Sequence, residues 1–261
     1  MNIQILRTKT LSASYGKDEK IPFVGSSSHF HNNYELFFAL SDGVEYIVGD
    51  AVYMLKKYDA LFIPPTIFHY PRQKEEREYE RFIINFHGGD ISKKLKPFLS
   101  EAKTHYAFQN NSVIKNAYRE LITLREHATE EDIELAVKQY LHLILLQMKY
   151  ASPEQDTAQP LHATLSAILQ YIDGHLHEEL DAETLSSVFF VSSSWIYYAF
   201  KKHLVVSLSS YVNNKKVLLA QRLIQSGTPP TKVFSSCGFQ DYSTFYRQYK
   251  RHFNAPPKVD K

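Results

Sequence analysis

The 261-residue sequence predicts a two-domain chain: an all-β N-terminal domain, linking helices, and an all-α C-terminal domain with two helix-turn-helix motifs. Three observations lead there. Up to about residue 88, short apolar runs alternate with turn residues. From residue 110 the apolar spacing takes a helical period. After residue 161 one arrangement occurs twice: a short helix, a tight turn, then an amphipathic helix ending in aromatic and basic residues. The length suits two domains better than one core.

The run FVGSSSHFHNNYELFFAL leads into the turn Asp42-Gly43, and VEYIVGDAVYMLKKYDALFIPP follows with turns at Gly49-Asp50 and Asp59. Residues 79–86 supply another strand, which His87-Gly88-Gly89 ends. Many short strands with tight turns predict a sandwich or a small barrel. In the next segment Ile114, Ala117, Tyr118, Leu121, Ile122 and Leu124 make one apolar stripe. Val137, Tyr140, Leu141, Ile144, Leu145 and Met148 make a second. This helix pair either joins two copies of the chain or packs back on the strands. ASPEQDTAQP, residues 151–160, reads as a polar linker with a proline near each end.

Consecutive short helices follow. One covers 161–176, and Asp181 caps another over 182–189. Ser192 starts SSSWIYYAFKKH. A longer helix runs over 208–226, where Gly227 and Pro229-Pro230 stop it. A short helix over 231–236 precedes a turn at Gly238, and Asp241 caps the helix 242–252. The predicted divisions are therefore 1–109, 110–150, 151–160 and 161–257.

Cys237 is the single cysteine, which excludes an intrachain disulfide and a cysteine-rich zinc site. The N-terminus has no basic stretch followed by an apolar one, and no run approaches the length of a membrane span. The expected location is the cytoplasm, away from membranes. Formal net charge is only +2, but residues 161–261 hold eleven Lys plus Arg against seven Asp plus Glu. A basic C-terminal part fits a polyanionic partner.

The two repeats are LSSVFFVSSSWIYYAFKKHL and VFSSCGFQDYSTFYRQYKRHF. Ile196, Ala199 and Phe200 anchor the inner face of one second helix, and Phe245 and Tyr249 that of the other. Each ends in a basic cluster, Lys201-Lys202-His203 and Lys250-Arg251-His252. Recognition helices enter a major groove with this layout, basic side chains meeting phosphates. A rigid linking helix would set them about one DNA turn, roughly 34 Å, apart. Lys215 and Lys216 in that helix either face phosphate or keep the helix soluble.

From WIYYAFKKHLVVSLSSYVNNKKVLLAQRLI through VFSSCGFQDYSTFYRQYKRHFNAPP, the chain resembles the AraC/XylS-type transcription regulators. Gly238, Phe239, Asp241, Ser243, Phe245, Arg247, Lys250, Phe253 and Pro256 match the family pattern. The resemblance covers about 161–257 and implies two helix-turn-helix units on double-stranded DNA. It assigns base-side positions to Ser194, Tyr197 and Tyr198, then Tyr242, Ser243, Tyr246 and Arg247, with Lys201, Lys202 and Lys250 beside them. Arg247 has direct chemistry for guanine. Three departures stand out. Tyr198 occupies a position where Arg is common, Phe234 replaces a small residue, and Asn254 replaces Gly, a change tolerable because Asn enters the left-handed region.

In the N-terminal part His29-x-His31-x-x-x-Glu35 precedes a distant His69, a set able to hold a divalent metal. Over residues 15–88 this is similar to the cupin barrel, often the effector sensor of AraC-type regulators. The resemblance implies a closed barrel over 1–109 with a pocket lined by His29, His31, Glu35 and His69, and Phe37 and Tyr46 nearby. Such regulators usually bind a small organic ligand, often a sugar, rather than a metal. The expectation is therefore an effector site with no metal or other cofactor, in a non-enzymatic homodimeric regulator. Two other readings compete: a metal-dependent cupin enzyme with an accessory helical domain, and a protein-interaction module with a decayed helix-turn-helix.

Overall fold

The computed structural model describes residues 1–19, 30–72, 78–151 and 158–258. The chain divides into two compact units, Met1–Ser27 with Asn33–Gln159, and Ser28–Asn32 with Pro160–Lys261.

The first unit contains β1 (Asn2–Arg7), β2 (Leu11–Asp18), β3 (Tyr34–Ala39), β4 (Val44–Val48), β5 (Ala51–Leu55), β6 (Asp59–Ile63), β7 (His69–Arg72) and β8 (Tyr79–Phe86). Then come α1 (Phe98–Glu101), β9 (His105–Ala107), α2 (Ser112–Arg125) and α3 (Glu130–Lys149). The two-residue β10 (Gln159–Pro160) follows, at the point in the chain where the first unit ends. The strands make two sheets, in the orders β1-β2-β8-β3-β6-β9 and β10-β5-β4-β7. Val48 pairs with Ala51 across a two-residue turn, in which Gly49 takes a φ of +60°.

These sheets overturn the closed cupin barrel. Among the described residues β1 and β9 are the end strands of the larger sheet, and no ladder joins it to the smaller one. The reason lies in what covers the strands. In β3, Leu36 and Phe38 join a core with Ile114, Leu121, Val137 and Leu141 of α2 and α3. Its alternate residues Phe37 and Ala39 join Tyr46, Leu55 and Leu61 in the core against the smaller sheet. A sheet buried on both faces is a middle layer, and helices α2 and α3 pack over its β1 edge. Without a closed barrel, the cupin-enzyme reading loses its scaffold.

The second unit contains α4 (Ala163–Gly174), α5 (Ala182–Phe189), α6 (Ser193–Ala199), α7 (Leu208–Gln225), α8 (Pro230–Ser236) and α9 (Tyr242–Phe253). Helix α6 continues into a π-helical turn, Phe200–Leu204. Local chemistry sets the starts. Asp181, Ser192, Ser207 and Asp241 each accept the backbone N–H three residues on, the N-cap geometry. Pro230 opens α8, where a missing N–H costs nothing. The core includes Val217, Ala220, Ile224, Val233, Phe239 and Phe245. The segment before β3 also belongs here: the Phe30 ring meets Tyr211 edge-on at 5.2 Å, and Asn32 Nδ2 donates to Gln221 Oε1 at 2.8 Å.

Candidate nucleic-acid interface

In the first motif α5 and α6 are joined by a turn at Phe190, whose φ of +54° is left-handed although it is not glycine. Its ring is 93% exposed. In α6, Ile196, Ala199, Phe200 and Leu204 are buried. The opposite side carries Ser194, Tyr197 and Tyr198, one helical face by their three- and four-residue spacing, and the exposed Lys201 follows them. Tyr197 and Tyr198 are 54% and 57% exposed. Lys202 Nζ stands 5.1 Å above the Tyr198 ring, a cation–π contact that draws the ammonium back along the helix. Lys201 and Lys202 lie on the π-helical turn, which offsets them from the α-helical register of the tyrosines.

In the second motif α8 turns at Cys237-Gly238 into α9. Phe239 and Tyr249 pack on Phe245, at 5.4 and 5.6 Å between rings. Burying a Phe of this kind contributes on the order of 2–3 kcal/mol. Outward, Ser243, Arg247, Lys250 and Arg251 share one exposed face. Tyr242 sits at the edge of that face. Tyr246 is half-buried, with its ring 6.3 Å from that of Tyr242. Arg247 Nη2 donates to Thr244 Oγ1 at 3.2 Å, which orients the guanidinium along the helix. Lys250 and Arg251 occupy the last turn, where cations complement the helix dipole. Asn254 is left-handed, with φ +52°, so it ends α9 as glycine would.

Lys215 and Lys216 do neither of the things their position suggested. They are 6% and 7% exposed. Lys215 Nζ pairs with Asp173 Oδ1 at 2.7 Å. Lys216 Nζ donates to the carbonyl oxygens of Glu178 and Gly238, at 3.0 and 2.8 Å. Burial pushes the Lys216 ammonium below its usual pKa and the neighbouring Cys237 thiol up to about 11. Among the described residues the exposed cations of this unit include Lys201, Lys202, Lys232, Arg247, Lys250, Arg251 and Lys258, five of them on or beside α6 and α9.

The other predicted residues lie in the first unit, with exceptions. His29 lies outside the described residues. His31 precedes β3 rather than lying on it, and it groups with the second unit. Glu35, Phe37, Tyr46 and His69 are buried together. His69 Nε2 lies 3.7 Å from Glu35 Oε1, and the Tyr46 hydroxyl donates to the same oxygen at 3.5 Å. The His69 Nδ1 atom is 2.8 Å from the Ile67 carbonyl. Phe37 and Tyr46 rings are 4.5 Å apart. Burial, then the Glu35 charge, holds the Tyr46 phenol well above its usual pKa. Sequence reasoning missed Asn85. It faces Glu35 across the β3–β8 ladder, so both point to the same side of the sheet. Its Oδ1 is buried with no hydrogen-bond partner among the described residues. An asparagine inside an apolar strand, FIINF, was the available signal.

Comparison with known proteins agrees with this geometry. Residues 185–260 match the helix-turn-helix domain family. The chain is 27% identical over 135 residues to the probable transcriptional regulator LumQ of Photobacterium leiognathi, covering 51% of this chain and 53% of that one. It is 26% identical over 152 residues to the transcriptional activator RhaS of Salmonella paratyphi A, covering 57% and 54%. With RhaS of Pectobacterium carotovorum the match is 21% over 251 residues, covering 92% and 89%. In the first two matches the chain spans about half the length of its curated relatives. The C-terminal region therefore carries a helix-turn-helix domain. No helix among the described residues is long and apolar enough to cross a membrane.

Proposed function

We propose that this chain is a sequence-specific DNA-binding transcription regulator whose DNA affinity responds to a small molecule. The observation that carries it is the pair of capped helices, α6 and α9. Each buries one apolar face and presents the other as hydroxyl, aromatic and cationic groups. In this reading Ser194, Tyr197, Tyr198, Tyr242, Ser243, Tyr246 and Arg247 face the bases, and Lys201, Lys202 and Lys250 the phosphates. The first unit is the sensor. Glu35, His69, Tyr46 and the unpartnered Asn85 Oδ1 supply donors and acceptors beside the Phe37 ring, chemistry suited to a hydroxylated ligand such as a sugar. Asn33 and Tyr34 lead directly from the segment held at Tyr211 and Gln221 into the strand bearing Glu35.

The regulator acts as a homodimer. Leu135, Leu143, Leu146 and Tyr150 are exposed along α3 and its cap, an apolar stripe suited to a second copy. Selection of genomic fragments by the purified chain at about 0.15 M salt tests the reading. A few fragments sharing two short boxes are expected. Unselective recovery that vanishes steeply with salt would overturn it.

A further inference from the structure

We propose that Lys216 and Gly238 clamp the second helix-turn-helix to the first and so set the spacing of the two DNA boxes the chain reads. The proposal rests on the DNA-binding reading above. Both are positioning residues, facing away from the presented helix faces.

Three stretches of the second unit converge on one point. Residues 176–178 follow α4 and lead into the first motif. Lys216 lies mid-way along α7. Gly238 is the turn of the second motif. The Lys216 ammonium donates to Glu178 O at 3.0 Å and Gly238 O at 2.8 Å, bridging the segment that leads into the first motif and the turn of the second through main-chain atoms. Gly238 has a φ of +73°, and a Cβ there would fall 2.4 Å from Leu176 O and 2.8 Å from Lys216 Nζ. The second turn is thus seated directly on the backbone that leads into the first motif, with no room for a side chain. One residue earlier on α7, Lys215 ties to Asp173 of α4 at 2.7 Å.

The residue type suits the task. A lysine carries three donors and no acceptor on a long stem, so one head group satisfies two carbonyls, one on the way into the first motif and one in the turn of the second. Burying an ammonium is costly unless carbonyls surround it, and removing it leaves those carbonyls without their donor. Main-chain contacts fix position more tightly than side-chain packing. They hold α6 and α9 at one separation, so binding of one box presents the other helix at high effective concentration.

The test compares the native full chain with Lys216→Met, Lys216→Arg and Gly238→Ala, all checked for cooperative melting. Spin labels at Ser187→Cys and Arg251→Cys report the distance between motifs without DNA; the native Cys237 is fully buried. A narrow native distribution is expected, broadened or shifted in Lys216→Met and Gly238→Ala and largely restored in Lys216→Arg. On a selected two-box fragment the first two variants bind roughly ten- to a hundredfold more weakly and lose their preference for box spacing, with single-box binding unchanged. If Gly238→Ala does not fold, the Lys216 pair carries the test. An unchanged distance distribution in folded Lys216→Met overturns the clamp. Should the native chain select no DNA at all, the regulator reading fails, while the DNA-free distances still decide the clamp.

Discussion

The two helix-turn-helix motifs share a layout and differ in what they offer. The first turns on a strained, exposed Phe190 and presents Tyr197 and Tyr198. Its cations sit on a π-helical turn, one of them drawn over a tyrosine ring. The second turns on Gly238 in a conformation glycine adopts freely, and it presents Arg247 from an unbroken twelve-residue helix. Only the second offers a planar, many-donor group at a central position on its face. On the proposed DNA-binding reading, the comparison predicts a division of labour: α9 would discriminate bases, and α6 would place the protein on the backbone.

The largest effect that would break this division is at Arg247. Arg247→Ala is expected to weaken binding to the selected site by about one to two orders of magnitude and to relax selectivity at one base pair. Tyr198→Ala is expected to cost only a few-fold, evenly across sequences. Equal losses of selectivity from both, measured by competition against single-base variants, would erase the distinction. Next in size are Lys201→Ala and Lys202→Ala. Each should lower affinity for all sequences alike and reduce the slope of log affinity against log salt by about one. A change in base preference with an unchanged salt slope would put these lysines at bases instead.

The same comparison shows what is legible in a sequence. Asp181, Ser192 and Asp241 are readable as caps because a cap is a bond to the amide three residues on. The inner faces, Ile196 with Phe200 and Phe245 with Tyr249, follow from helical spacing. Partners distant in the chain leave no local trace. Lys216 reads as a surface charge, yet its acceptors lie 38 and 22 residues away. Sheet closure failed for the same reason. In β3 all residues after Tyr34 are buried, so no inside–outside alternation shows which layers cover it. His31 resembles a strand residue only because strand propensity does not mark where β3 begins. Phe190 carries none of the Gly or Asn chemistry that announces a left-handed turn.

That turn offers a smaller test. A left-handed conformation costs an L-residue roughly 1–2 kcal/mol. Glycine returns about half of this as lost chain entropy. Phe190→Gly is therefore expected to raise stability by up to about 1 kcal/mol in urea unfolding, while Gly238→Ala lowers it. A destabilised Phe190→Gly would show that the exposed ring holds the first motif together.

The smallest expected difference separates the caps by pH. Asp241 accepts the Thr244 amide at 2.8 Å, and this hydrogen bond lowers its carboxyl pKa from 3.8. Asp181 is lowered likewise by the Thr184 amide. Ser192 caps α6 through a hydroxyl, which does not titrate. A carboxyl whose folded pKa is depressed stabilises fully above its unfolded value, and the contribution disappears as pH falls through the folded value. The deficit in thermal midpoint of Asp241→Ala relative to the native chain should therefore be constant near neutrality and shrink below about pH 3.8. The deficit of Ser192→Ala should not change over the same range. Parallel pH profiles for the two variants would mean that α9 does not depend on its carboxylate cap, and that the two recognition helices start by the same uncharged means.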